Sequence, residues 1–240
     1  MQKIVQKIYD EIVTQYKPDK NVLGIMVFGS AARDTSDEYS DIDFYIIVRK
    51  LAKFARIGLI KYGIPIDIII EPINETNKYL NEDKNALKRN TSHMLAHSAI
   101  LFQRSASIAK IQAIAKSNLN LKTKYTKEEI LMHKYSIDDF LGEVRRDAKN
   151  QDSVAFGVDS QLLINNIMEL FLKINGDFLR QPKELHARLN DIDKRFGNLV
   201  NHFYLATDRQ DKIKILSALI KYIYTKTRPL PKKWSIANFN

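Results

Sequence analysis

The chain has 240 residues, 45% apolar and 28% charged, with eight Gly and six Pro; that mix excludes a collagenous, low-complexity or disordered chain and suits one large domain or two modest ones. No Cys occurs, which excludes disulfide frameworks, Cys-zinc sites and thiol catalysis and fits a reducing compartment. The 38 Lys and Arg outnumber the 28 Asp and Glu, giving a formal charge of +10 that suits a polyanionic partner or reflects a Lys-rich surface and nothing more.

Residues 2–17 set Ile4, Ile8, Ile12 and Val13 at helical spacing, predicting an amphipathic opening helix that Pro18 ends. This segment lacks the continuous apolar run of a signal peptide, and the longest apolar stretches fall far short of the roughly 20 residues that span a bilayer. A cytoplasmic protein with no membrane partner is expected. Segments 22–28, 42–48 and 64–70, rich in Val, Ile and Phe, predict strands, and 51–62, closed by Gly63, predicts a helix between the last two. Pro72 stops the final strand. Beyond it the periodicity is helical: 86–102, 107–118, a helix capped by Thr126 with Glu129 and running towards 149, then 158–175 with Gly176 as its C-cap, 183–189, 191–205 and 208–227. The expected fold class is α+β, a small mixed β-sheet domain over 1–105 followed by an all-α helical bundle over 106–240.

The chemistry concentrates in GIMVFGSAARDTSDEYSDIDFYIIV, residues 24–48. A strand ends at Phe28, and Gly29-Ser30 is expected to open a short helix, where the backbone can approach a ligand and the outward N–H groups of the helix start suit a phosphate. Asp41 and Asp43 flank Ile42; two residues apart on a strand, they share a face with Cα atoms about 6.6 Å apart at a rise of roughly 3.3 Å per residue. Like charges so placed repel, and a divalent cation removes that cost; Mg²⁺ suits hard oxygen ligands of this kind. Asp67 interrupts the apolar run IPIDIII and repeats the logic. Should its strand lie beside the second, three carboxylates could hold two ions roughly 3.5–4 Å apart, the arrangement of in-line phosphoryl or nucleotidyl displacement. The competing reading makes Asp41 and Asp43 strand-end solubility residues and pairs Asp67 with a Lys.

The spacing Gly29-Ser30, ten residues, Asp41-x-Asp43 and a later Asp67 between aliphatics resembles the DNA polymerase β-like nucleotidyltransferases. The string GSAARDTSDEYSDID is similar to the bacterial subset reading Gly-Ser-x-Ala-Arg-Gly and then Ser-Asp-x-Asp: Gly29, Ser30, Ala32, Arg33, Ser40, Asp41 and Asp43 match, while Asp34 stands where Gly is usual. The resemblance implies an NTP, ATP by preference, bound through Gly29, Ser30 and Ser40. Arg33 either supports the triphosphate or lies on a solvated face. It further implies two Mg²⁺ ions on the catalytic residues Asp41, Asp43 and Asp67, and transfer of a nucleoside monophosphate to an acceptor hydroxyl with release of pyrophosphate.

In the helical half, HMLAHSAILFQ and LFLKINGDFLRQPK, with Asn175, Phe178, Pro182 and Lys183, are similar to the C-terminal domain of bacterial enzymes that nucleotidylate small molecules, antibiotics included. That likeness assigns the domain to acceptor binding and admits a homodimer. A polycationic acceptor is disfavoured by the +10 charge; a protein or RNA acceptor, or an NTP-binding antitoxin-like protein, are the alternatives, nucleic acid being the less favoured partner. Glu143 and Glu169 are candidates for an additional general base. His93 and His97 are four apart but lack the Glu of the zinc-protease motif. Arg195 and His202 stand at a spacing seen in ribonuclease domains that accompany minimal nucleotidyltransferases, yet Phe196, where a polar residue is normal, reads as core. Lys232-Lys233-Trp234 either touches a polyanion or packs on the bundle.

Overall fold

A computed structural model describes residues 2–33, 35–51 and 55–233; Asp34 and Trp234 lie outside them. The chain divides into two compact units, Met1–Leu121 and Lys122–Asn240.

The first unit runs α1 (Gln2–Tyr16), β1 (Val22–Phe28), a 3₁₀ turn (Ala31–Arg33), β2 (Ile42–Val48), β3 (Ala55–Lys61), β4 (Ile64–Pro72), α2 (Ile73–Asp83), α3 (Asn90–Ala96), β5 (Ala99–Gln103) and α4 (Ser107–Asn118). Its five strands form one sheet in the order β3-β4-β2-β1-β5. β2 and β4 are parallel and every other pair is antiparallel, so the sheet is mixed. Strand alternation sends Ile42, Phe44, Ile46, Ile66 and Ile68 to one face, where Ile8 and Ile12 of α1 cover them. Met26, Phe28, Tyr45 and Ile47 face the other way, against Leu80, Leu95, Ile108 and Ile111 of α2–α4. Both faces are thus buried over most of their length.

Three sequence expectations are corrected here. Segment 51–62, expected as a helix, contains the edge strand β3; it folds back on β4 through Tyr62 and Gly63, both at positive φ (53° and 79°), the signature of a two-residue type I′ hairpin turn. Ile57 and Leu59 pair with Ile68 and Ile66, an edge-strand register that a helical count of the same residues conceals. Segment 86–102 likewise holds the short helix α3 and then β5, whose apolar run is recruited by the open edge of β1. The boundary falls after Leu121 instead of 105, because α4 completes the sheet unit. A Cβ on Gly24 of β1 would lie 2.6 Å from Ile108, so α4 rests directly on bare backbone, and Asn118 at its end donates to the Leu80 carbonyl (2.7 Å) and Ser92 Oγ (3.0 Å).

The second unit is helical throughout its described elements: α5 (Lys127–Asn150), α6 (Ser153–Ile174), α7 (Pro182–Ile192), α8 (Lys194–Leu205) and α9 (Arg209–Thr227). Thr126 and Glu129 form the expected reciprocal capping box on α5, and Gly176, at φ 67°, follows the end of α6. Asp152, Asp193 and Asp208 cap α6, α8 and α9 through their side chains. The core is continuous and apolar, centred on Leu163, Ile167, Phe171, Phe196, Leu216 and Ile223, with Phe171 and Phe196 stacked at 3.7 Å. Among the described residues no helix is long and apolar enough to cross a membrane.

Candidate active site

The parallel pairing of β2 and β4 sets Asp43 opposite Asp67. Because their neighbours Ile42, Phe44, Ile66 and Ile68 are buried on the α1 side, both carboxylates fall on the other face. Asp41 precedes β2 by one residue and is exposed; two positions from Asp43, it extends the same acidic row. Burial pushes the Asp43 carboxyl up to about 6, the charges of Asp41 and Asp67 push in the same direction, and Arg56 opposes them. The three side chains therefore feel one another, as the strand argument expects.

Gly29 fits this cluster for two reasons. Its φ of +73° is costly for any side chain, and a Cβ there would lie 2.5 Å from Asp43 Oδ2. The pairing of Phe28 with Asp43 brings the turn to this place, so the carboxylate sits against bare backbone. Ser30 follows, its carbonyl accepting from the N–H groups of Arg33 and Thr35, each at 3.1 Å. The expected helix after this turn is only the 3₁₀ segment Ala31–Arg33, too short for a macrodipole, so any phosphate cradle here comes from the glycine turn. Arg33 closes that segment, half-buried. Ser40 Oγ donates to Asp37 Oδ1 (2.9 Å) and accepts from the Asp37 N–H (3.0 Å), which ties the loop entering β2 into a compact turn.

Asp67 has a partner that the sequence did not reveal. Arg56, on the neighbouring strand β3, donates through Nε to both carboxylate oxygens at 2.9 and 3.0 Å. The competing expectation of a Lys partner was right in kind, with Arg in its place. Deeper on the same face the Tyr45 hydroxyl donates to Glu71 and contacts Thr76 Oγ1 at 3.3 Å; burial raises the pKa of both Tyr45 and Glu71.

Among the described residues no three His, Asp or Glu side chains close around one point as a ready metal cage. The donor set nevertheless fits Mg²⁺, which typically takes one or two protein carboxylates and completes its shell with water and substrate phosphates. Asp41 and Asp43 meet that requirement, and a cation would relieve the burial and the neighbouring negative charge that together raise the Asp43 pKa. Asp67 has its carboxylate already shared with Arg56.

Glu143 pairs with Arg146 at 2.6 Å along α5. Glu169 lies 3.9 Å from Nε2 of His133, but burial and Lys173 push that imidazole down to about 4, so it is neutral at neutral pH and the contact is not an ion pair. His133 lines a cavity of about 470 Å³ with Asn166 and Lys173, unforeseen because it forms only when α5 and α6 pack against each other. His93 lies within α3 and His97 is its exposed C-cap. Asn175 caps α6, donating its amide to the Phe171 carbonyl at 2.7 Å, Phe178 is core, and Pro182 begins α7. Phe196 is fully buried, as expected, whereas Arg195 and His202 line a second cavity between α8 and α9.

Residues 10–107 match the family model described as Polymerase beta, Nucleotidyltransferase. Over 95 aligned positions the chain is 33% identical to a Methanocaldococcus jannaschii protein named as a protein adenylyltransferase; the match covers 33% of this chain and 64% of the relative's length. A solved nucleotidyltransferase-like protein from Exiguobacterium sibiricum shares the fold, with a TM-score of 0.54 at 10% identity over 91% of this chain and 73% of that one.

Proposed function

We propose that this chain, whose residues 10–107 match the Polymerase beta, Nucleotidyltransferase family model, transfers a nucleoside monophosphate from an NTP, ATP by preference, to the hydroxyl of a small molecule. The observation that carries the reading is the register of Asp43 against Asp67 with Gly29 seated on the Asp43 carboxylate.

In this reading Asp41 and Asp43 hold two Mg²⁺ ions, with Asp67 as the further ligand. When bound, the ions supply charge neutralisation of the triphosphate and acidify the acceptor hydroxyl. The Gly29-Ser30 backbone and the Ser40 turn position the phosphates, and Arg33 adds positive charge beside them. Asp67, released from Arg56, receives the acceptor proton. The acceptor oxygen then bonds to the α-phosphorus as the bond to the bridging oxygen breaks, and pyrophosphate leaves with that electron pair. The helical unit supplies acceptor recognition.

One observation favours a second reading: the archaeal relative aligned here is named for adenylylation of protein. A protein hydroxyl would serve the same chemistry. Purified protein with α-labelled ATP and Mg²⁺ separates the two, label moving to a small molecule in a hydroxyl-compound panel or to a protein band in a proteome. An Asp41→Asn/Asp43→Asn variant should lose either activity; undiminished turnover in that variant rules out the reading.

A further inference from the structure

The helical unit carries a cavity of about 710 Å³ between α8 and α9, none of whose lining residues has been given a part in the transfer step. Its rim is cationic, with Lys194 and Arg195 from the first turn of α8 and Lys221 from α9, and the His202 imidazole joins the lining two turns beyond Arg195. Among the described residues no carboxylate forms an ion pair with Lys194, Arg195 or Lys221. The neighbouring acid, Asp193, is already engaged: it accepts from the Tyr222 hydroxyl and, at 3.0 Å, from Lys226, and it caps the N–H groups of Arg195 and Phe196. Positive charge at this concavity is therefore uncompensated.

The wall has a second character. Tyr222 lines the cavity, and the Arg195 guanidinium stands 5.5 Å from its ring centroid. Asn198 adds an amide that both donates and accepts. Cations for phosphate, a flat aromatic with an Arg for stacking, and an amide for base edges are the elements by which proteins hold nucleotides without a dedicated fold. The volume lies within the range of small-ligand pockets.

We propose that the α8–α9 cavity binds a nucleotide phosphate, Lys194, Arg195 and Lys221 contacting the anion and Tyr222 with Asn198 the base. The phosphate belongs either to a free nucleotide or to a ribonucleotide strand; the chemistry at the cavity is the same. The proposal rests on the cavity's own lining and does not depend on the proposed transfer reaction.

The test uses the full chain in EDTA, with ADP and 5′-phosphorylated oligoadenylates of two to twelve nucleotides as probes. Lys194→Glu/Lys221→Glu should weaken binding at least tenfold. Lys124→Glu/Lys149→Glu, which alters the formal charge equally at exposed lysines of the same unit outside the cavity, should change it less than twofold. All four side chains are exposed, and unchanged melting of both variants verifies the fold. Affinity that plateaus at ADP identifies a free nucleotide. Affinity that climbs with length, with a salt slope reduced by about two in the cavity variant, identifies a strand. Equal losses in the two double variants, a change below twofold in the cavity variant, or no binding of either probe by the unaltered chain overturns the proposal.

Discussion

In the sheet unit, acidic side chains sit within strands: Asp43 and Asp67 interrupt β2 and β4 opposite one another, and Glu71 lies deeper along the same strand. In the helical unit the buried Asp177 is paired with Arg180 and Arg188 beside the apolar core from Leu163 to Ile223, and Asp152, Asp193 and Asp208 stand at helix starts. Carboxylates at caps satisfy orphan N–H groups and stabilise. Carboxylates placed side by side in a half-buried sheet repel and are desolvated. Apart from the Arg56 fork on Asp67, the row carries that cost until something binds it, which is the physical support for proposing the chemistry in the sheet unit.

The sharpest way to break this comparison is to neutralise the row. Asp43→Asn should lower transfer by about 10³-fold or more, on the scale of several kcal/mol of transition-state charge stabilisation, while leaving the sheet folded; a loss below tenfold contradicts the role given to it. Phe196→Ala does the reverse. It removes a fully buried ring stacked on Phe171 and should cost the helical unit about 3–5 kcal/mol, read by hydrogen exchange as lost protection in α6 and α8, with protection in β2 and β4 retained. Gly29→Ala comes next: the left-handed φ alone costs about 1–2 kcal/mol, and the added methyl displaces the Asp43 carboxylate. Activity should fall roughly 10²-fold, with only a small drop in melting temperature.

Acid sharpens the contrast further, because the two units respond with opposite signs. Folded Asp43 keeps its proton up to about 6, against 3.8 ordinarily, so the sheet unit gains stability as pH falls through that window. Folded His133 refuses a proton until about 4, against 6.5 ordinarily, so the helical unit loses stability on the order of 2 kcal/mol as pH falls from 6.5 towards 4. Hydrogen exchange at pH 7 and 5 should show protection moving in opposite directions, and His133→Gln should abolish the helical loss. The smallest effect is at Arg56. Arg56→Gln frees Asp67 and should tighten Mg²⁺ binding roughly two- to fivefold by calorimetry; weaker binding would mean that the guanidinium assists the site.

What the sequence discloses depends on how local each feature is. Gly29 and the Asp41-x-Asp43 row are legible because a turn, a strand end and a two-residue period lie within one short stretch, and Asp67 is legible as a charge inside an aliphatic run. Arg56 is not, since Ala55–Lys61 satisfies a helical count as well as a strand count until its pairing with β4 is known. β5 is hidden for the same reason, its few apolar residues taking their conformation from the edge of β1. The cavities at His133 and between α8 and α9 need two helices brought together, and nothing within either helix announces the other.

The Arg56 fork has a consequence for the life of the protein outside catalysis. β3 and β4 reach their register with a neutralising cation already supplied by the chain itself, so assembly of this edge need not wait for magnesium. On the proposed reading, a cell poor in that ion would still accumulate finished scaffold, with Asp67 held meanwhile by an internal counter-ion.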